Sequence, residues 1–258
     1  MKMSITGVAF VALSVCISLD MFTGVASAVS TTGIVGNWHM DEERGQSVHD
    51  SSPYANHGRL GSTRGRDGDD PSWILRRFDT SALNFDYDYV SIRNHRRLEP
   101  AKITVEAWVR PVASAPTVLP YIVAKGLSAQ NNYCAFASYA LYLVGEEPVF
   151  YISDGTTYYS SPAGPDVVDG QWHHIVGTYD EQHIRIYVDG VESGSGTVSS
   201  VPINYSLFPV KKLIIGDADG TNGRCTDYNG FYSGDIDEVR IWDRALTASE
   251  VVERYQGD

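Results

Sequence analysis

The sequence predicts an all-β protein, a sandwich of two antiparallel sheets closed by a short C-terminal helix. Three observations predict it. Short stretches in which apolar and polar residues alternate fill most of the 258 residues. Clusters of Gly, Pro, Asn and Asp separate those stretches and supply turn chemistry. Helical periodicity is confined to the tail. No fixed-period repeat, low-complexity stretch or Pro-rich linker divides the chain, so one domain is expected behind an N-terminal leader.

The leader comes first. Met1-Lys2-Met3 is followed by an apolar stretch over 8–19 and by small residues ending in Ala26-Ser27-Ala28, the layout of a signal peptide with an A-x-A cleavage site. Residues 1–28 are therefore expected to be removed, leaving 29–258 as a secreted, extracellular domain. A membrane anchor is the competing reading, but Asp20 ends the apolar run and no second run of about 18 apolar residues follows. Loss of Lys2 and Asp20 together leaves the net charge at −12. So acidic a chain is a poor match for nucleic acid, which needs clustered Lys and Arg to neutralise phosphates, whereas its carboxylates suit a hard cation.

The strands follow in order. In Ile103-Thr104-Val105-Glu106-Ala107-Trp108-Val109-Arg110 the residues Ile103, Val105, Ala107 and Val109 share one face, as a half-buried strand requires, and Pro111 ends the run. Similar runs lie at 121–125, 139–144, 149–153, 173–179, 184–188, 212–215 and 236–242. Asp154-Gly155, Asp169-Gly170 and Asp189-Gly190 provide the positive φ angles of tight connections, the last joining 184–188 to Val191-Glu192 as a hairpin. The tail 247–255 is the one helical segment. Thr247 is a natural N-cap, and Glu250 three residues later completes the capping-box spacing. Two long polar segments, 59–80 and 217–229, are expected to be loops of the kind that carry binding functions.

Cys134 and Cys225 are the cysteines left after processing. An even count in an exported chain favours a Cys134–Cys225 disulfide over a metal or catalytic role, with two buried free thiols as the alternative. Catalytic signals are sparse. His173 and His174 are neighbours on a strand and point to opposite faces, so they cannot act together on one substrate. No phosphate loop, Ser nucleophile elbow or Cys-His zinc spacing is present.

At segment level the chain resembles the laminin G-like jelly-roll family of the concanavalin A-like lectin and glucanase superfamily. The resemblance is carried by Gly36-Asn37-Trp38-His39-Met40-Asp41-Glu42 with Asp50-Ser51-Ser52-Pro53; by Ala82-Leu83-Asn84-Phe85-Asp86 with Asp88-Tyr89-Val90; and by Thr104-Val105-Glu106-Ala107-Trp108-Val109. It continues in Gln171-Trp172-His173-His174-Ile175-Val176-Gly177-Thr178-Tyr179-Asp180 with Tyr187-Val188-Asp189-Gly190, and in Gly234-Asp235-Ile236-Asp237-Glu238-Val239-Arg240-Ile241-Trp242-Asp243 with Ala245-Leu246. It implies a concanavalin A-like jelly-roll sandwich of two curved antiparallel sheets, with the last strand beside the first. It does not supply a ligand, because the superfamily holds lectins, adhesion domains, hydrolases and lyases.

The resemblance also implies a structural calcium ion near the terminal strands, with Asp41 and Asp237 as metal ligands and Glu42 as a substitute. Ca2+ takes six to eight oxygens, so carbonyls or waters would complete the shell. Asp217-Ala218-Asp219-Gly220-Thr221-Asn222-Gly223 is a second calcium-like loop, against which stands a plain solvated turn. A retaining glucanase of this superfamily would show Glu-x-Asp-x-x-Glu on one strand. That motif is missing, and Asp235, Asp237 and Glu238 come nearest to it. Tyrosine offers a face for a sugar ring and a hydroxyl for hydrogen bonds, which makes Tyr158, Tyr159, Tyr228 and Tyr232 the candidate ligand-binding residues. The expected function is a secreted, calcium-stabilised carbohydrate-binding, lectin-like module whose partner is an extracellular glycan. The alternatives are a polysaccharide-degrading enzyme on the same fold and an adhesion domain for a cell-surface or matrix protein.

Overall fold

The computed structural model describes residues 30–68, 70–76, 80–113, 119–130, 133–206, 210–218 and 230–257. The expected leader 1–28, Cys225 and Tyr228 lie outside the described residues, so the leader and the Cys134–Cys225 pairing do too.

Among the described residues, seventeen strands form two antiparallel sheets. The nine-stranded sheet runs β14 (Val191–Glu192), β13 (His183–Val188), β12 (His173–Tyr179), β7 (Ile103–Pro111), β17 (Ser233–Trp242), β5 (Ser81–Asp86) and β4 (Ser72–Leu75). To it are added β1 (Ile34–Trp38) on β17 and β15 (Thr197–Val198) on β13. The eight-stranded sheet runs β11 (Tyr158–Ser160), β10 (Glu147–Ser153), β9 (Tyr133–Val144), β8 (Tyr121–Gln130), β16 (Val210–Ile215), β6 (Val90–Ile92), β3 (Gly58–Leu60) and β2 (Ser47–Val48). One helix, α1 (Ala248–Gly257), follows the last strand. The jelly-roll sandwich expected from the sequence is the observed fold.

Alternation decides which side chains enter the core. In β7, Ile103, Val105, Ala107 and Val109 point inward; in β12 and β17, Ile175, Ile236, Val239 and Ile241 meet them from the same sheet. From the facing sheet come Tyr139, Leu141, Phe150 and Ile152. The sheets approach closely at Gly177, where a Cβ would stand 2.2 Å from Phe150 Cγ, so no larger residue fits without displacing the ring. The Asp189-Gly190 hairpin has φ of 51° and 80° at its two central residues, both positive as the turn demands.

The terminal strands pair as the resemblance implies: Ile34 opposes Trp242 and Trp38 opposes Val239. Asp50 accounts for the Asp50-Ser51-Ser52 motif. Its buried carboxylate accepts from the backbone N–H of Asn37, Ser52 and Asn56 and from the Ser52 hydroxyl, at 2.7–2.8 Å, which locks β1 to the turn behind it. The segment 59–80, expected as a loop, contains β4 and the end of β3. Ser72-Trp73-Ile74-Leu75 shows no alternation to mark it, and its pairing with β5 comes from residues further along the chain.

Candidate functional site

The outward side of the eight-stranded sheet carries a row of tyrosines across four neighbouring strands. Tyr121 on β8 stands opposite Tyr142 on β9, their rings stacked at 5.3 Å; Tyr142 meets Tyr151 on β10 edge-on at 5.3 Å; and Tyr151 lies 5.6 Å from Tyr158 on β11. Ala124, Ala140 and Val149 fill the spaces between them. Tyr142 and Tyr151 are buried, and burial raises both phenol pKa values, so both stay neutral donors. Tyr151 Oη also accepts the Ala137 N–H at 3.0 Å. The row emerges at Tyr158, whose residue is 46 % exposed. The turn that leads into β11 is fixed by Asp154, which accepts from Thr156 and Thr157 N–H and from the Thr156 and Tyr159 hydroxyls; these bonds hold its carboxyl at about 2. The same Asp154 lines a cleft of ≈ 360 Å³ with Glu99, Asn204 and Tyr205.

The outward side of the nine-stranded sheet is charged. Because Leu83, Phe85, Val109 and Ile236 are core residues, their strand neighbours Asn84, Arg110, Asp235 and Asp237 face out. Asp235 accepts from Asn84 Nδ2 at 2.7 Å and from Arg110 Nε at 2.7 Å. Asp237 accepts from Arg76 at 2.5 Å. The Arg76 guanidinium lies over both Trp108 (5.0 Å) and Trp172 (4.8 Å), and Arg110 lies over Trp172 at 5.4 Å. Trp108 continues the stack onto His174 and onto Tyr255 of α1. Desolvation pushes the Asp237 carboxyl up to about 7, the nearby Glu238 adding to this and Arg76 only partly opposing it.

Beneath α1, Glu106 is fully buried. Its Oε1 lies 2.7 Å from Arg240 Nη1, 3.1 Å from His174 Nε2 and 3.3 Å from Arg254 Nη2. Burial alone would raise this carboxyl, but His174, Arg240 and Arg254 outweigh it and hold it at about 2. His173, on the opposite side of β12, turns to Asp189 and Asp169 instead, so the two histidines have separate partners as alternation predicts.

The structure separates the four predicted tyrosines. Tyr158 is the outward, exposed one. Tyr159 points the other way, packs against the core and bonds Asp154. Tyr232 is a correction: it is fully buried, meets Phe85 edge-on, and donates its hydroxyl to the Asp235 carbonyl at 3.0 Å. The period of two explains it, since Tyr232, the residue before β17, falls on the same side as Gly234 and the core residue Ile236. Asp41 and Asp237 are engaged by protein groups. Asp41 accepts the Ser81 N–H at 3.2 Å, Asp237 already holds a guanidinium, and the described residues contain no group of three or more His, Cys, Asp or Glu that could hold a metal ion. The Arg76, Arg110, Trp108 and Trp172 stack was not foreseen, because its members come from the residue after β4, from β7 and from the residue before β12.

Two jelly-roll sheets with terminal strands paired, one face aromatic and the other charged, define a lectin-like sandwich domain. The chain belongs to the laminin G-like family of the concanavalin A-like lectin/glucanases superfamily, whose family model matches residues 84–252. Human neuronal pentraxin-1 is similar over 85 residues at 33 % identity, which is 32 % of this chain and 19 % of the relative. The chain thus spans about a fifth of the length of the curated relatives it matches. Among solved structures, the binding domain of Paraclostridial Mosquitocidal Protein 1 superposes with a TM-score of 0.60 at 13 % identity, covering 87 % of this chain and 52 % of that one. The binding domain of botulinum neurotoxin DC, solved with rat synaptotagmin II, gives 0.58 at 11 % identity over 87 % of this chain and 51 % of its own. Domain 4 of AbnA, an extracellular GH43 arabinanase from Geobacillus stearothermophilus solved with arabinotriose, gives 0.55 at 18 % identity over 85 % of this chain and 97 % of its own. At such identities the likeness is one of fold.

Proposed function

We propose that the protein is a secreted carbohydrate-binding module that holds an extracellular glycan without cleaving it, with Tyr158 as its principal contact. The observation that carries this is the tyrosine row, in which buried Tyr142 and Tyr151 support an exposed ring at a sheet edge, beside a turn that also lines a cleft of mixed polar and apolar residues. A ring held by its neighbours loses little side-chain entropy when a sugar stacks on it. The solved likeness of an arabinanase domain with arabinotriose supports the ligand class, and the proposed export supplies the compartment. Cleavage would need two carboxyl groups open to the scissile bond. Of the nearest sequence match, Asp235, Asp237 and Glu238, the first two are buried, and all three are engaged by arginines.

The test is retention on immobilised polysaccharides and soluble oligosaccharides. Tyr158→Ala should weaken binding about tenfold, and Tyr158→Phe should keep most of it. Reducing-sugar and unsaturated-product assays should stay flat. Sustained product release would turn the reading into an enzyme, and retention of no glycan would shift it to a protein-binding adhesion domain.

Calcium enters this proposal as a stabilising ion only. An ion bound by the folded state alone, at a hundredfold over its Kd, raises stability by about 2.7 kcal/mol. Melting in chelator and again with calcium restored measures it directly. An unchanged curve removes calcium from the proposal and leaves the glycan site standing.

A further inference from the structure

The cleft on the outward side of the nine-stranded sheet has no part in the tyrosine site. It encloses ≈ 460 Å³ and is lined by Asn84, Arg110 and Asp235 at its floor and by Ile74, Leu75 and Val112 at its rim. We propose that it is a second sugar site, one that takes an uncharged sugar ring, so that the module binds glycan on both of its faces. The inference rests on the glycan-binding reading above and adds a location and a charge class to it.

Register builds the floor. Asn84 opposes Asp235, and Asp235 opposes Arg110, so the three side chains stand in one line across β5, β17 and β7. Adjacent strands are about 4.8 Å apart, so Asn84 and Arg110 rise on either side of Asp235, and a ligand over Asp235 can reach both. Asp235 fixes the other two: it takes one N–H of Asn84, and Nε and Nη2 of Arg110 at 2.7 Å and 2.5 Å. A guanidinium has five N–H groups and a primary amide two donors and an acceptor, so Arg110 and Asn84 keep donors, and Asn84 an acceptor, beyond these bonds. The Arg110 side chain is 42 % exposed, which leaves those groups open to the cleft. Trp172 backs the Arg110 plane, and Arg76 backs Trp172 in turn. The groups are therefore positioned before a ligand arrives, which lowers the entropy lost on binding.

Charge selects the ligand class. Arg110, the cation of the floor, is matched by Asp235. An acidic ligand would find no uncompensated cation on this floor, and a cationic one no uncompensated carboxylate. What is offered is an array of fixed donors and acceptors beneath an apolar rim, where Leu75 is 77 % exposed and Val112 is 60 % exposed. A neutral sugar has that division itself, with hydroxyls at its edge and C–H groups on its faces. The volume suits one or two rings, within the range of about 300–1,000 Å³ for small-ligand sites.

The experiment is nitrogen-15 NMR titration of the whole protein with uncharged oligosaccharides, arabinotriose among them, and with a sialylated and a uronic-acid oligosaccharide for comparison. The Trp172 indole N–H and the Arg110 Nε–H report the cleft, and the backbone amides of 158–160 report the tyrosine edge. An uncharged sugar should shift both sets, and calorimetry should count two sites per chain. Asn84→Ala should weaken the cleft response about tenfold and leave the tyrosine response in place. Leu75→Ser, at an exposed position, does the same if Asn84→Ala fails to fold. Tyr158→Ala should do the reverse. Shifts at the tyrosine edge with none at Trp172 and Arg110 would overturn the second site alone. Cleft shifts confined to the acidic sugars would overturn its uncharged class. Silence at both would bring down the glycan reading itself.

Discussion

The outward side of the eight-stranded sheet carries a patch of tyrosines, alanines and Val149, whereas the outward side of the nine-stranded sheet carries Glu106, Asp235, Asp237, Arg110 and Arg240 together with tryptophans. Both sides are largely removed from water, by different means. Along the tyrosine row each side-chain polar atom is a neutral hydroxyl, and losing one partner there costs about 1 kcal/mol. On the charged side the stability of each group depends on its partner being present, since an ion left alone in the interior is penalised by several kcal/mol. The difference teaches where this fold is vulnerable. The face that offers the exposed aromatic edge tolerates change, and the face that anchors α1 does not.

The largest expected effect breaks that second face. Glu106→Ala leaves Arg240, Arg254 and His174 without the carboxylate they surround, and should destabilise by about 3 to 5 kcal/mol. Denaturant unfolding measures this, and a loss below about 1 kcal/mol would mean that the network adds no more than a surface ion pair does. Tyr142→Phe on the opposite face is the paired control and should cost well under that.

The asymmetry between the faces was only half legible in the sequence. Alternation gave the strand at 103–110 its place, and the observed β7, Ile103–Pro111, differs by one residue. The helix was legible from Thr247 and Glu250, whose reciprocal bonds are present: Thr247 N–H to Glu250 Oε2 at 2.8 Å and Glu250 N–H to Thr247 Oγ1 at 3.3 Å. Glu106 carried a readable signal too, an acid in the middle of an otherwise apolar strand, but its partners stand on β12, β17 and α1 and could not be named from spacing. The same holds for Arg76, which lies at the end of a strand that alternation does not mark and reaches Asp237 across 161 positions. Tyr158 sits beside a turn and is exposed, as a loop tyrosine was expected to be. Tyr232 misled because it also sits outside a marked strand, and only the period of two carried back from β17 shows that it points inward.

The comparison sharpens with pH, because two acids on the charged face are displaced in opposite directions. Glu106 is held at about 2 against an ordinary 4.5, and Asp237 is pushed to about 7 against an ordinary 3.8. For Glu106 the unfolded chain binds the proton more tightly, so its contribution is full above about pH 4.5 and is lost as pH falls toward 2. For Asp237 the folded state binds the proton more tightly, so its contribution is full below about pH 4 and is lost as pH rises toward 7. Between pH 4 and 7 the Asp237 effect should therefore lower stability by about 1 to 3 kcal/mol. Asp237→Asn cannot ionise and should flatten this part of the stability curve. If the slope of the variant matches that of the wild-type protein across this window, the carboxyl titrates at its ordinary value and the burial argument fails.

The smallest effect separates the helix from the network beneath it. If α1 is held mainly by what it covers, weakening its first turn should matter far less than removing Glu106. Thr247 caps that turn, and Glu250 is shared between the cap and Arg244, whose Nη2 lies 2.6 Å from Glu250 Oε1. Thr247→Ala removes the hydroxyl but leaves the Arg244–Glu250 pair and the contacts of Arg254 and Tyr255 with Glu106 and Trp108 in place. The expected cost is about 1 kcal/mol, the usual value of an N-cap, against several for Glu106→Ala. Amide hydrogen exchange over 248–257 resolves the two cases: Thr247→Ala should speed exchange at the first turn only, while Glu106→Ala should speed it along the whole helix. Equal effects of the two substitutions would mean that the cap, and not the buried carboxylate, holds α1 on the sheet.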